Sequence, residues 1–209
     1  MNRTNASDMI RAKRFKAIVI GGSAGGFDGL AAIFRLLPSN FPLPVLVVQH
    51  LHSSDCGEFA QHLARVTRLQ VVEPCDKERI EAGYVYSAPA NYHLLLETNG
   101  TISLSVDEKV NWSRPSIDVL FESAARVFGE SVVAVILSGA SADGSKGMLE
   151  IKTAGGMTIA QDPTETDHSL MPRSAIDTGA VDLVLRAEDI GRLLVEIGAR
   201  TGEDGGINI

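Results

Sequence analysis

The sequence predicts an α/β fold: a doubly wound, mainly parallel sheet with helices on both faces and an antiparallel hairpin annex. Three observations carry that expectation. Uninterrupted apolar runs at 17–20, 45–48 and 132–137 have the character of parallel strands buried on both faces. Segments with apolar residues at helical spacing alternate with these runs. Turns rich in glycine and serine separate strand from helix, as βα units require. A chain of 209 residues, 44% hydrophobic and 22% charged, suits one such domain.

The elements follow in order. Residues 1–14 are polar and irregular, a frayed tail or a short leading helix. The strand at 17–20 breaks into "GGSAGG" at 21–26, after which Leu30, Ile33, Phe34 and Leu37 recur at helical spacing until Pro38 closes the helix. The strand at 45–48 runs into Gln49 and His50. A helix is expected over 55–68, with Asp55 as N-cap and Phe59, Leu63 and Val66 facing inward. A short strand follows at 69–72. Residues 84–87, 93–97 and 101–106 read as an annex of short strands, the last two joined by a hairpin at Asn99-Gly100.

Pro115 and Ser116 then open a helix of about four turns, with Ile117, Leu120, Phe121, Ala124 and Phe128 on one face. The most apolar strand, 132–137, ends in "SGASADGSKGM" at 138–148, and a helix resumes over 146–153. Short strands at 157–160 and 181–185 precede a last helix from 187 to about 199. The chain thus divides into a tail at 1–14, a single folded domain at 15–200 and a flexible polar tail at 201–209.

Composition excludes several classes. A formal charge of -7 argues against a nucleic-acid binder, which shows a basic face. No apolar run reaches the ~18 residues of a membrane span, and the N-terminus has no signal-peptide core, so a cytoplasmic protein is expected. Cys56 and Cys75 follow no metal or redox spacing and read as reduced thiols.

The glycine-rich turn at 21–26 fits two machines. As a phosphate cradle it falls short: the first G-x-G of a dinucleotide fingerprint is missing, the next strand ends in Gln49-His50 rather than an acid, and no Lys-Ser or Lys-Thr follows. As a nucleophile turn, residues 21–25 satisfy G-x-S-x-G. Small neighbours permit the tight turn that presents Ser23 Oγ above the sheet, and N–H groups at the next helix can hold an oxyanion. A serine needs a base. His50 sits just past the neighbouring strand, whose end lies ~5 Å away in a sheet. Asp143, after the strongest strand, can orient the imidazole; its plainer role is N-cap of the helix that follows. Asp28 and Asp118 are rivals that read better as parts of a helix's first turn or exposed face. His50 and His52 also form an H-x-H pair, yet drafting His62 or Asp55 as further ligands gives no zinc spacing. No metal is expected. His93 and His168 read as structural or surface residues.

With these positions in hand, the chain resembles the catalytic domain of the chemotaxis protein-glutamate methylesterases, the CheB type. The resemblance rests on "VIGGSAGG" around Ser23, "VVQHLH" around His50, "YSAPANYHLLL" at 86–96, "RPSIDVLFESAA" at 114–125, "ILSGASADGSKGM" around Asp143, "AQDPTE" at 160–165 and "MPRSAI" at 171–176. It implies Ser23 as nucleophile, His50 as general base and acid, and Asp143 as the orienting carboxylate. It also implies hydrolysis of glutamate γ-methyl esters on cytoplasmic chemoreceptor helices, release of methanol, deamidation of glutamines in many members, and no cofactor. Backbone N–H groups of Ala24 and Ala140 become the oxyanion donors. The candidates for substrate contact are Arg114, which reads equally as a contact for receptor carboxylates or a helix cap, and Met171 and Pro172, which read as lining of the cleft or as the start of a helix. Ala24 stands where the family often has threonine, and Ala140 replaces the methionine of G-M-G-x-D-G. About 15 residues precede the first strand, where family members usually carry a phospho-receiver domain. The chain is then expected to be constitutively active, gated by a separate signalling partner or acting outside standard chemotaxis, and a monomer suits an enzyme that must approach a long receptor bundle. The rival from another class is a CheB-like binding or regulatory module whose altered loops have lost the chemistry.

Overall fold

The computed structural model describes residues 13–203, so most of the segment 1–14, and residues 204–209, lie outside the described residues. Among the described residues nine strands form: β1 (Ala17–Gly22), β2 (Val45–Gln49), β3 (Gln70–Val72), β4 (Tyr84–Ser87), β5 (His93–Leu96), β6 (Ile102–Ser105), β7 (Val132–Ile136), β8 (Met157–Gln161) and β9 (Leu183–Leu185). Seven of them make one sheet in the order β3-β4-β2-β1-β7-β8-β9, every pairing parallel. β5 and β6 form a separate antiparallel pair. The helices are α1 (Gly26–Phe34), α2 (Glu58–Ala64), α3 (Ile117–Phe128), α4 (Ser145–Thr153), α5 (Leu170–Asp177) and α6 (Ala187–Glu203). Short 3₁₀ turns at Gly129–Ser131 and Pro163–Glu165 add to the expected elements.

The uninterrupted apolar runs are explained by burial on both faces. Ile18 and Ile20 of β1 join Val45, Val47, Val133 and Val135 under α1, α2 and α6. Their neighbours Ala17, Val19, Leu46, Val48, Ala134 and Ile136 pack on the other side against α3, α4 and α5. Alternate residues of a strand point to opposite faces, so a strand covered twice has no polar position to offer. Each fully buried Val, Ile or Leu contributes about 1.5–3 kcal/mol from removal of apolar surface, which makes β1, β2 and β7 a stiff base for whatever follows their C-terminal ends.

Several expectations change. β4 does not belong to the antiparallel annex; it pairs in parallel with both β2 and β3. The β5–β6 hairpin covers α3 instead of extending an edge, burying Leu94, Leu96 and Ile102 in the core beneath that helix. α2 is shorter than 55–68, and Gly57 occupies its N-cap. Asp55 still serves that end, its carboxylate accepting the N–H groups of Gly57 at 3.0 Å and Phe59 at 3.3 Å. At the far end α6 runs to Glu203, past residue 199 and into the stretch read as a flexible tail. Among the described residues no helix is long and apolar enough to cross a membrane.

Candidate active site

Three of the central strands end side by side. β1 lies between β2 and β7, with Gly22 opposite Gln49 and the His50 N–H donating to the Gly22 carbonyl at 3.1 Å. Ser23 and His50 therefore leave neighbouring strands at one level. The loop after β7 passes on the other side of Ser23, whose N–H donates to the Ser138 carbonyl at 2.9 Å.

The backbone of Ser23 is held from three directions. Besides that N–H bond, its carbonyl accepts from Gly26 N–H at 2.8 Å and from Gln49 Nε2 at 2.6 Å. Its hydroxyl, in contrast, makes no hydrogen bond among the described residues, and the residue is half-buried. Gly139 explains the close approach of the loop after β7. A Cβ added there would lie 2.9 Å from Ser23 Cβ and 2.6 Å from Met171 Cε, so any side chain at 139 would displace the serine or the methionine behind it. The N–H groups of Ala24 and Ala140 make no hydrogen bond among the described residues, whereas Gly139 N–H is occupied by the His168 carbonyl at 2.8 Å.

Asp143 is brought to His50. The imidazole Nε2–H donates to Asp143 Oδ2 at 2.8 Å, with the carboxylate fully buried and the histidine side chain 15% exposed. Because a carboxylate only accepts, this contact places a proton on Nε2, and Nδ1 makes no hydrogen bond among the described residues. Asp143 does not cap the helix that follows it, where Gly144 stands at the N-cap of α4. It caps α3 instead. Oδ2 accepts Ile117 N–H at 2.7 Å, and Oδ1 accepts Ser116 Oγ–H at 2.8 Å and Asp118 N–H at 3.3 Å. The first turn of a helix has unpaired N–H groups and a positive end, and both favour an anion.

A fifth partner comes from Asn111, a residue that sequence reasoning missed. Its Nδ2 donates to Asp143 Oδ1 and to Asp118 Oδ2, each at 2.7 Å. Asp118, expected on a first turn or an exposed face, sits on the first turn of α3 but is buried, and its Oδ1 accepts Gly147 N–H at 2.7 Å. The two carboxylates respond differently to burial. For Asp143 burial is the largest influence and raises the pKa, but the bonds from His50, Asn111, Ile117 and Ser116 together outweigh it and hold the carboxyl below its ordinary range. For Asp118 burial prevails over the Gly147 bond, and the charge of Asp143 adds to it, so its carboxyl is pushed up.

Asn111 belongs to a tight turn whose ends, Val110 and Ser113, exchange both backbone hydrogen bonds at 3.2 and 2.9 Å. Asn111 and Trp112 both have positive φ, 51° and 64°, the pattern of a type I′ turn. Asparagine accepts that conformation; tryptophan adopts it at a cost of about 1–2 kcal/mol. The surrounding loop is braced. Arg114 Nη1 donates to the Val106 and Asp107 carbonyls at 2.6 and 2.8 Å, and buried His93 donates from Nε2 to the Glu108 carbonyl at 3.0 Å while its Nδ1 accepts Ser116 N–H.

The remaining expected residues fall as follows. Arg114 spends its Nη1 on the loop, so it acts as a brace at that atom. Met171 and Pro172 are buried in α5, so they back the site and do not line an open cleft. His168 is exposed and His93 structural. His52 turns to Ser54 Oγ at 2.8 Å, away from His50's partner, and among the described residues no group of three or more His, Cys, Asp or Glu side chains could hold a metal ion. Gln49 was visible as a polar residue ending a buried strand, a usable signal of a role at the site. Asn111 carried no comparable signal.

Two recesses flank the Ser23–His50 level. One, of about 590 Å³, includes Ser23 and is walled by Phe27, Leu51, Phe59 and Val66. The other, of about 210 Å³, includes His50, Lys109, Trp112 and Arg114.

Comparison with known proteins supplies the family. A family model described as CheB methylesterase matches residues 18–194. A Leptospira interrogans protein provisionally named protein-glutamate methylesterase/protein-glutamine glutaminase is 45% identical over 183 residues, covering 88% of this chain and 95% of that protein. An Anaeromyxobacter dehalogenans protein named protein-glutamate methylesterase/protein-glutamine glutaminase 2 is 42% identical over 187 residues, covering 90% of this chain and 54% of its own length. Among solved structures, the Thermotoga maritima CheB methylesterase catalytic domain superposes with a TM-score of 0.84 at 38% identity, over 88% of this chain and all of that one. The chain belongs to the CheB methylesterase family.

Proposed function

We propose that this chain is a serine hydrolase that demethylates glutamate γ-methyl esters on the cytoplasmic helices of chemoreceptors and deamidates glutamines at such sites. The observation that carries the reading is the buried Asp143 bonded to His50 Nε2, with His50 and Ser23 leaving neighbouring strands at one level. Family membership supplies the substrate class.

In this mechanism Ser23 Oγ attacks the ester carbonyl carbon while His50 Nδ1 takes the hydroxyl proton. Asp143 stabilises the imidazolium so formed, held in place by its four further hydrogen bonds from Asn111, Ser116, Ile117 and Asp118. The tetrahedral oxyanion is received by the N–H groups of Ala24 and Ala140, both unpaired. Donors of this kind belong to the backbone, so the absence of threonine at 24 and methionine at 140 leaves them intact. The C–O bond to the methoxy group breaks as His50 returns the proton, and methanol leaves. Water, deprotonated by the same nitrogen, attacks the acyl-serine, and glutamate is released with Ser23 regenerated. With a glutamine side chain the leaving group is ammonia and the remaining steps are the same.

The working unit in this reading is a cytoplasmic monomer gated by a separate signalling partner; that nucleophile, base and acid all come from one chain supports the monomer. Methanol release from a methylated receptor tests the activity: the wild type should release it in step with loss of the ester, and the Ser23→Ala variant should not. Equal release by both would refute the proposal.

A further inference from the structure

Trp112 is unexplained by the fold. It is 95% exposed, packs into no core, and occupies a backbone conformation that disfavours bulky side chains. Strain of this kind persists where surrounding structure imposes it, and it gathers at functional sites. Here the imposing structure is visible: the paired backbone bonds of Val110 and Ser113, the Arg114 brace and the His93 brace. The preceding residue, Asn111, points inward to Asp143. One turn therefore reaches the acid with one side chain and offers an indole to solvent with the next.

We infer that Trp112 is a docking anchor for the substrate polypeptide, seating an acidic helical segment beside the scissile ester. This rests on the methylesterase reading, which makes the substrate a glutamate-bearing helix. The recess under Trp112 fits such a partner by charge. Its lining includes Lys109, Arg114 and two imidazoles, and no carboxylate, although the chain as a whole carries -7. Asp107 and Glu108 share the loop but do not line the recess. Lys109 is exposed and forms no ion pair among the described residues, so it is available to a carboxylate one helical turn from the ester. His50 lines the same recess, which puts the docked segment within reach of the reacting atoms. Tryptophan is among the residues enriched at the energetic centres of interfaces.

Trp112 is the only tryptophan in the chain, so its emission reports docking directly. The test uses the full chain as Ser23→Ala, to prevent turnover, titrated with a synthetic helical peptide carrying a glutamate γ-methyl ester between free glutamates. The emission maximum should move to shorter wavelength saturably, and Lys109→Glu should weaken the midpoint severalfold. In otherwise wild-type protein, Trp112→Gly, which suits the turn, should leave the thermal midpoint unchanged or higher and raise the peptide KM roughly tenfold, with Trp112→Phe in between. Peptide binding seen by anisotropy without any change in emission would overturn the inference, as would no binding or an unaltered KM. Methanol release by the wild type separates the two readings: release with an unaltered KM sinks the docking role alone, whereas no release sinks the esterase reading.

Discussion

The turn after β1 and the turn after β7 are built alike and finished in opposite ways. Each follows a strand buried along its whole length, and each enters its helix through a glycine of positive φ, Gly25 at 74° and Gly144 at 93°. In the first, the backbone is tied down while the reactive atoms stay unbonded: Ser23 Oγ and the Ala24 N–H have no partner among the described residues. In the second, Asp143 has its carboxylate fully buried and bonded by His50, Asn111, Ser116, Ile117 and Asp118. A nucleophile and an oxyanion donor must be free for a partner that arrives later. An orienting acid must stay ionised and still, which in a buried place requires every acceptor site to be filled.

Substitutions at four positions probe that contrast, from the largest expected effect to the smallest. Ser23→Ala removes only the unbonded atom, so methanol release should fall by about 10⁵–10⁶ while the thermal midpoint holds. A large drop in the midpoint would mean the hydroxyl had a structural partner after all.

Asp143→Asn should lower kcat by about 10³–10⁴ and, unlike the serine change, destabilise the fold. The amide brings hydrogens to a place where the neighbours are donors. Its pH dependence has a definite sign. A carboxyl whose pKa is lowered on folding contributes stability above its ordinary value of 3.8 and loses it as pH falls through the lowered folded value. Urea unfolding should therefore separate wild type from Asp143→Asn at neutral pH and bring them together in strong acid. Asp118 acts with the opposite sign: its carboxyl is raised, so its contribution is fully present below 3.8 and declines as pH rises through the raised value. A gap between wild type and Asp143→Asn that widens in acid would contradict the assignment of Asp143 as the ionised partner.

Asn111→Ala removes the amide shared by the two aspartates. The loss of two hydrogen bonds to charged groups, each about 1.5–3 kcal/mol, should appear partly as stability and partly as a ten- to hundredfold lower kcat, with the acid limb of the pH–rate profile displaced. Asn111→Gln tests whether the shared position matters, because the longer side chain cannot place one nitrogen between both carboxylates. Finally, Gly139→Ala adds a methyl against Ser23 and Met171. Overpacking of this kind costs about 1–3 kcal/mol, and here it should fall mainly on kcat, through the serine.

Much of this arrangement was legible in the sequence because it sits at strand ends. Ser23, His50 and Asp143 each follow an apolar run, and parallel pairing brings such ends together. What the sequence concealed depends on contacts between distant segments. Asn111 lies on a loop 32 residues from Asp143 and belongs to no periodic pattern. Asp143 is adjacent in sequence to α4, yet it caps α3, because the sheet places the α3 N-terminus above the end of β7. Residues 84–87 resemble hairpin strands in composition, and only pairing with β2 and β3 makes β4 part of the main sheet. Arg114 opens a distinctive motif, but its guanidinium turns back to carbonyls of its own loop. Met171 starts a helix as expected and is buried against Gly139. No observation favours the binding-module alternative: both turns keep the groups that the proposed hydrolysis uses.

The central claim is that Ser23 is a nucleophile activated by His50. A fluorophosphonate probe, followed by peptide mapping, tests it most directly. The account predicts a single adduct on Ser23, formed rapidly by the wild type and lost in His50→Ala at unchanged fold. A folded wild-type protein that takes up no label, or carries it on another residue, would contradict the claim.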